Sequence, residues 1–233
     1  CNGFSLVVNA HKEGSYLAAA IRSAIEAAKP LIDSQIPVEI ILLLDNPDKI
    51  TTSVAKKVLK ECQFPKRTIR VNYKDLALSR NKAIRAAKFP WIAFLDGDDL
   101  WASNWLAVVH EAIQKSSNPL MEIFHPKYSF YFEQLHEVLH SPDQNQLKFP
   151  EALLIANNYW TALCCAHKTI FLNHPYKPNR LEKGWGFEDW SWNKRTIKAG
   201  YFHRSLPNSC HFIRYRGGSL GRLSVEANAL PTP

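Results

Sequence analysis

No apolar run in this chain approaches the ~20 residues that cross a bilayer. A helical membrane span is therefore not expected. No internal repeat or low-complexity tract interrupts the chain either. Cysteines are few and irregularly placed: Cys1, Cys62, Cys164, Cys165 and Cys210. Their odd number argues against a disulfide framework and for a reducing compartment. None belongs to a CxxC pair, so a zinc site is not expected. The adjacent Cys164 and Cys165 should point to opposite sides of a strand. No signal-peptide pattern precedes the first apolar run. The expected location is the cytoplasm, with peripheral contact at the inner membrane surface open to it. Long basic runs are missing too, so no nucleic-acid-binding stripe is expected. The net charge of +8 and pI near 9.2 instead suit an anionic ligand or an anionic surface.

The chain has 233 residues, 46% apolar and 21% charged, enough for a sizeable core in one domain. Residues 4–9 read as a short buried strand. A helix opens after it at Gly14 and Ser15. Leu17, Ile21, Ala24 and Ala28 recur on one face, and Pro30 falls past its end. Residues 38–44 form a near-continuous branched run, the pattern of a strand buried on both faces. It ends on the turn-forming Asp45-Asn46-Pro47-Asp48. A helix over 51–61, a short strand over 68–71, a helix over 78–87 and a strand over 91–95 follow. This alternation predicts βαβ units and a mostly parallel sheet flanked by helices, an α/β fold. Right-handed crossovers would put Asn9, Asp45 and Asp96 on one edge of that sheet.

Beyond Asp99 the alternation fades. Ser103 can cap a helix running to about residue 115. Aromatic strands are expected within 120–132, a mobile loop over 141–146, and a helix over 150–156. A strand over 159–166 and a loop over 173–186 follow. A helix over 188–199 closes at Gly200, and two late strands cover 201–205 and 210–214. The glycine-rich residues 217–221 read as a flexible stretch.

Two motifs carry chemistry. In Trp91-Ile92-Ala93-Phe94-Leu95-Asp96-Gly97-Asp98-Asp99 an apolar strand ends on three carboxylates around a glycine. Packed like charges repel, and a divalent cation would relieve them. Mg²⁺ or Mn²⁺ takes hard oxygen ligands, often one or two carboxylates plus substrate phosphates. The carboxyl end of a strand is also where open α/β sheets bind ligands. A solvated acidic turn is the plain alternative. The second motif is Gly184-Trp185-Gly186-Phe187-Glu188-Asp189-Trp190. Its carboxylates open a helix, where the macrodipole favours negative charge, so capping alone would explain them. The sharper reading makes Asp189 a general base toward a sugar hydroxyl, with Trp185 stacking on the sugar. Trp192 reads as core. Together the motifs suggest group transfer from a nucleoside diphosphate.

These residues resemble the family 2 glycosyltransferases of GT-A fold, from Phe4 to about Ser219. Leu78-Ser79-Arg80-Asn81-Lys82-Ala83-Ile84 followed by the Asp96-Gly97-Asp98-Asp99 strand end looks like the family's Ala-Arg-Asn helix and DxD. Glu188-Asp189 looks like its ED pair. The resemblance implies a single GT-A domain, with a nucleotide-sugar-binding half over 1–99 and an acceptor half over 100–233. It implies metal-dependent, inverting transfer from a UDP-sugar to a glycan, lipid-linked or protein acceptor. Asn9 to Glu13 stand where the family has Pro-Thr-Tyr-Asn-Glu. His11 then takes the aromatic position against the base, and Asn9 and Glu13 line the donor pocket. Asp45 matches the base-contacting acid, and Arg80 the contact to diphosphate or ribose. Gly97 belongs to the donor loop. Asp96 and Asp98 would hold Mn²⁺ or Mg²⁺, with His211 completing the metal site and His203 a competitor. Arg214 and Arg216 would meet the diphosphate. Asp189 would be the base, with Glu188 and Trp185 on the acceptor side.

Other classes fit less well. A phosphohydrolase using an aspartate nucleophile wants its DxD after the first strand, and here it follows the fourth. A nucleotidyltransferase wants a glycine-rich loop after strand one, which Asn9-Ala10-His11-Lys12-Glu13-Gly14 is not. An EF-hand loop from Asp96 would place Leu100 and Trp101 where an oxygen ligand and glycine belong. A non-catalytic sugar-binding module would use the aromatics but would not need both a metal–diphosphate site and a placed base.

Overall fold

All seven residues of Phe4–Ala10 (β1) are buried, as are all eight of Val38–Asp45 (β2), the double-sided burial of interior strands covered on both faces. The computed structural model describes residues 3–145, 154–217 and 220–232. The helices are Tyr16–Asp33 (α1), Lys49–Val58 (α2), Leu76–Ala86 (α3), Trp105–Lys115 (α4), Lys168–Asn173 (α5), Glu188–Lys198 (α6) and Leu220–Glu226 (α7). The remaining strands are Lys66–Val71 (β3), Trp91–Asp96 (β4), Leu100–Trp101 (β5), Glu122–Glu133 (β6), Glu137–His140 (β7), Cys165–His167 (β8), Trp185–Gly186 (β9), Phe202–Tyr215 (β10) and Leu230–Pro231 (β11). Among the described residues the main sheet runs β3-β2-β1-β4-β8-β6-β10-β5, with β7 on β6, while β9 and β11 pair separately. Strands β1 to β4 are mutually parallel and β8 runs against both its neighbours. The fold is thus the mixed, mostly parallel α/β sheet that the alternation predicts.

Helices cover both faces. One core gathers α1 and α4 against Leu6, Val8, Leu42 and Leu95. The other gathers α3, α5 and α6 against Val7, Ile41, Leu43 and Phe94. Cys164 and Cys165 fall into different cores, as adjacent residues of an extended chain should.

Several boundaries differ from the sequence reading. Pro30 lies inside α1, which runs on to Asp33 and buries Leu31. Packing of that leucine overrides the helix-stopping tendency of proline. Of the expected strand over 159–166 only Cys165 and Ala166 are in the ladder, which runs on to His167. The late strands merge into one, β10, kinked by a register shift between Leu206 and Cys210. Residues 141–145 are docked: the Gln144 N–H donates to the His203 carbonyl, and its side chain accepts from the His203 N–H. Leu220 and Gly221, expected to be flexible, begin α7. Asn104, not Ser103, precedes α4, and its amide donates to the Asn208 carbonyl. Most of the expected helix over 150–156 lies outside the described residues.

Candidate active site

The parallel register sets Asn9 beside Asp96, and Asp45 two residues past the level of Asn9. The three strand ends therefore share one edge. Asn9 is buried, and both polar atoms of its side chain lack a partner. An orphaned amide here is a group waiting for a ligand or water. Asp45 is fully engaged. Its carboxylate accepts the N–H groups of Tyr73 at 2.7 Å, Lys74 at 2.9 Å and Asp75 at 3.0 Å, and the Ser79 hydroxyl at 2.9 Å. Lys74 takes a left-handed conformation, φ 53°, which turns these N–H groups toward one point. Asp45 thereby fastens the loop before α3. His11 Nδ1 sits on the Asp45 carbonyl, and Glu13 accepts the His11 N–H.

In the acidic loop, a Cβ on Gly97 would come 2.8 Å from the Asn9 carbonyl oxygen, so only glycine lets the loop lie this close to β1. Each flanking carboxylate has an arginine. Asp96 meets Arg80 Nη2 at 3.0 Å, and Asp98 meets Arg216 Nε at 2.7 Å, with side-chain exposures of 28% and 16%. Asp99 is buried and accepts the Arg214 N–H at 2.7 Å. Burial and the neighbouring Asp98 and Asp96 push its pKa well above the usual carboxylate range. Arg214 also donates through Nε to the Asp98 carbonyl at 3.1 Å, pairs with Glu133, and lies over the rings of Tyr16 and Phe132. Glu13 is pushed up to about 7, chiefly by burial and also by Asp98.

Arg80 ties the two motifs together. From α3 its buried guanidinium reaches Asp96 with Nη2 and Glu188 Oε1 with Nη1 at 2.6 Å. Burial alone would lower its pKa, but Asp96 and Glu188 outweigh that and hold it charged. Rings of Phe94 and Tyr176 lie 5.9 and 5.5 Å from its centre. Arg80, expected to reach the donor's diphosphate or ribose, spends its terminal nitrogens on Asp96 and Glu188. Glu188 is anchored as well, since its Oε2 accepts from Asn179 at 3.0 Å.

Phe187, at φ 53°, turns the chain sharply into α6, a costly conformation for a non-glycine residue. Asp189 follows in the first turn. Its Oδ1 accepts the Trp190 N–H at 2.7 Å and its Oδ2 accepts Asn158 Nδ2 at 3.1 Å. Burial first, then Glu188, raises its pKa to about 7, although Arg80 pulls the other way. Trp185 is half-buried in β9. Neither Asn158 nor Asn179 belongs to a recognisable motif, and the sequence offers no spacing that would find them.

His211 requires a correction. Its ring is fully buried between Trp101 and Trp105, with centroids 6.2 and 4.6 Å away, and neither nitrogen has a partner. Alternation along β10 turns it inward, away from a metal role beside Asp98. His203 is equally internal, bonded to His125 and Thr196. Among the described residues no three His, Cys, Asp or Glu side chains are grouped to hold an ion by themselves. A separate recess of about 400 Å³, lined by Val108, Phe124, Arg204 and Leu206, lies toward the start of β6 and away from these carboxylates.

Residues 5–177 match the profile of glycosyl transferase family 2. No curated protein matches the chain by sequence. Among solved structures, TarS 1-349 of S. aureus in complex with UDP-GlcNAc is similar with a TM-score of 0.69 and 14% identity, over 94% of this chain and 60% of that one. GalNAc-T7 with UDP, GalNAc and Mn²⁺ is similar with a TM-score of 0.65 and 17% identity, over 93% of this chain and 44% of that one. The mannosyltransferase PcManGT of Pyrobaculum calidifontis, in complex with GDP-Man and Mn²⁺, gives a TM-score of 0.65 at 12% identity, over 94% and 59%. The chain thus spans about 60% of the TarS fragment's length or less of these structures, and they share its GT-A fold.

Proposed function

The chain belongs to glycosyl transferase family 2, and from that premise we propose that it moves a sugar from a nucleoside-diphosphate donor to an acceptor hydroxyl with inversion. The carrying observation is the Arg80 bridge, which joins the strand-end Asp96 to the ED pair 108 residues from Arg80 and so brings donor-side and acceptor-side carboxylates together. In this reading Asp189 takes the acceptor proton. A pKa raised to about 7 leaves it ionised in part at neutral pH while keeping it basic enough to accept. Glu188 serves as the anchor that keeps the base in place.

The carboxylates of Asp98 and Asp96 suit Mg²⁺ or Mn²⁺, which take hard oxygens and leave positions for water and phosphate. That chemistry fits a site completed by the donor rather than by a third protein ligand. When bound, the cation would supply positive charge against the leaving diphosphate. Arg216 would turn from Asp98 toward phosphate oxygen, for which its planar donors are suited. The orphaned amide of Asn9 would find its partners on the nucleoside. Relatives of this fold solved with UDP-GlcNAc and GDP-Man support the donor class, and a UDP-sugar is the first donor to try. The acceptor is a glycan, a lipid-linked glycan or a protein.

A thermal-shift series with UDP- and GDP-sugars, with and without Mn²⁺, tests the donor side, because a ligand that binds only the folded state raises its stability. Transfer or donor hydrolysis is then measured for Asp98→Asn and Asp189→Asn. Both variants should lose turnover, and Asp189→Asn should keep its donor-dependent shift. Near-full turnover in both would overturn the reading.

A further inference from the structure

The proposed base is held by a residue that no motif announces. Asn158 lies on the segment entering Trp160, whereas Asp189 is in the first turn of α6. Their contact runs from Asn158 Nδ2 to Asp189 Oδ2, 3.1 Å. The Asn158 carboxamide has only one orientation that fits its surroundings. Asn193, buried and one turn beyond Asp189, spends both Nδ2 hydrogens on carbonyl-type oxygens: Asn158 Oδ1 at 2.9 Å and the Trp160 carbonyl at 2.8 Å. A donor therefore faces Asn158 Oδ1, which leaves the Asn158 N–H group for Asp189. The other carboxylate oxygen is fixed by the Trp190 N–H at 2.7 Å. The same α6 turn is pinned across the segment by Trp190 Nε1, which donates to the Leu154 carbonyl at 2.7 Å.

We propose that Asn158 is the positioning residue of Asp189: braced from behind by Asn193, it presents an N–H to Oδ2 and sets the direction in which the carboxylate meets an acceptor hydroxyl. This deepens the glycosyl-transfer reading and rests on it for the word base, though not for the positioning itself. A hydrogen bond to the ionised form favours that form. Asn158 thus opposes the burial and the Glu188 charge that raise Asp189. The other titratable groups facing Asp189 are Arg80 of α3, Asp96 of β4, Tyr131 of β6, Cys164 and Tyr176. Arg80 is committed to Asp96 and Glu188 through its terminal nitrogens; the two hydrogen bonds on Asp189 are those of Asn158 and the Trp190 N–H, and of these only the one from Asn158 comes from a side chain that substitution can remove.

The test is a ¹³Cγ-aspartate NMR titration of the full chain, with Asp189→Asn to assign the signal. Asn158→Ala should move the Asp189 midpoint upward by about one pH unit, the scale expected for losing a hydrogen bond to a charged group. Asn193→Ala should move it less, in the same direction. A folded Asn158→Ala protein with an unmoved Asp189 midpoint overturns the proposal. If that variant does not fold, the isosteric Asn158→Asp serves. It sets a second carboxylate against Oδ2 and should raise the midpoint further, and no shift there also overturns the proposal. A second arm follows hydrolysis of whichever UDP-sugar stabilises the protein most, as a function of pH. Its acid limb should move with the NMR midpoint. A moved midpoint with a stationary limb supports positioning by Asn158 and removes Asp189 from the role of base.

Discussion

At the scale of single residues, the ED pair shows how two adjacent carboxylates acquire different work. Glu188 is paired with the Arg80 cation and also accepts from Asn179, while Asp189 receives neutral donors only. A carboxylate with a raised pKa is a cost to the fold at neutral pH. The folded state holds its proton up to about 7 while the unfolded chain releases it near 3.8, so stability falls as pH rises across that window and stays lower above it. Asp189→Asn should therefore reduce transfer by about 10²- to 10⁴-fold. Removing the shift alone would stabilise the fold by about 4 kcal/mol at pH 8, but the new amide sets a donor against Asn158 or the Trp190 N–H and offsets about 2–3 kcal/mol of that, so the protein should be roughly 1–2 kcal/mol more stable. Urea unfolding of both proteins at pH 8 checks this, and an equal or lower midpoint for the variant would refute it. The Arg80 strut behaves oppositely. Arg80→Ala leaves Asp96 and Glu188 near each other without their cation, and breaking a buried pair in this way costs about 3–5 kcal/mol. Arg80→Lys should rescue only part of that loss, because a single ammonium does not reproduce the fork that reaches two carboxylates.

At the scale of elements, the ED pair depends on how α6 is seated. Trp192 fastens it: the indole stacks on Phe171 and Tyr176 at 5.1 and 5.3 Å and donates through Nε1 to the His174 carbonyl at 2.7 Å. Trp192→Ala should cost about 3–5 kcal/mol and raise hydrogen exchange across α6 before it does so in β1 or β2. Uniform exchange across all three would contradict this. The elements of the first half were legible because β1, β2 and β4 are buried apolar runs ending at a turn signal, as in β2 before Asp45, whereas β3, with three basic residues and an exposed face, was found only in part. The second half was less so. Its strands are amphipathic or only two to four residues long, such as β8, and β10 is held as one strand by pairing with β6 on both sides of its register shift. The carboxylates of the site were legible from their motifs. Their partners were not: Arg216 on Asp98 and Asn158 on Asp189 join residues 118 and 31 apart, and no local pattern encodes such contacts.

At the scale of the whole molecule, buried histidines and buried carboxylates pull the response to acid in opposite directions. Thr196 Oγ1 lies 3.0 Å from the carbonyls of Trp192 and Asn193, which can only accept, so its proton goes to one of them. The hydroxyl oxygen then accepts from His203 Nε2, and His203 Nδ1 accepts from His125 Nε2. His125 Nδ1 and both nitrogens of His211 remain without partners. Burial pushes His203 and His211 down to about 3 and His125 well below its ordinary value. Unfolded histidines bind protons near 6.5. Below that pH the unfolded chain therefore holds more protons than the fold, and stability is lost as pH falls from 6.5 toward 3. Asp189, Glu13 and Asp99 act in the opposite sense, because carboxylates with raised values relieve the fold on acidification. The wild-type profile between pH 5 and 7 is a partial cancellation, so the histidine contribution is seen best by difference. His211→Phe keeps an aromatic ring between Trp101 and Trp105 and removes two orphaned nitrogens. Its stability advantage over wild type should grow by about 2 kcal/mol between pH 8 and pH 5, measured by urea unfolding at both. Donor turnover should be unaffected, because the ring lies in the aromatic core. Loss of Mn²⁺-dependent turnover in a stable His211→Phe protein would instead return the histidine to the metal site.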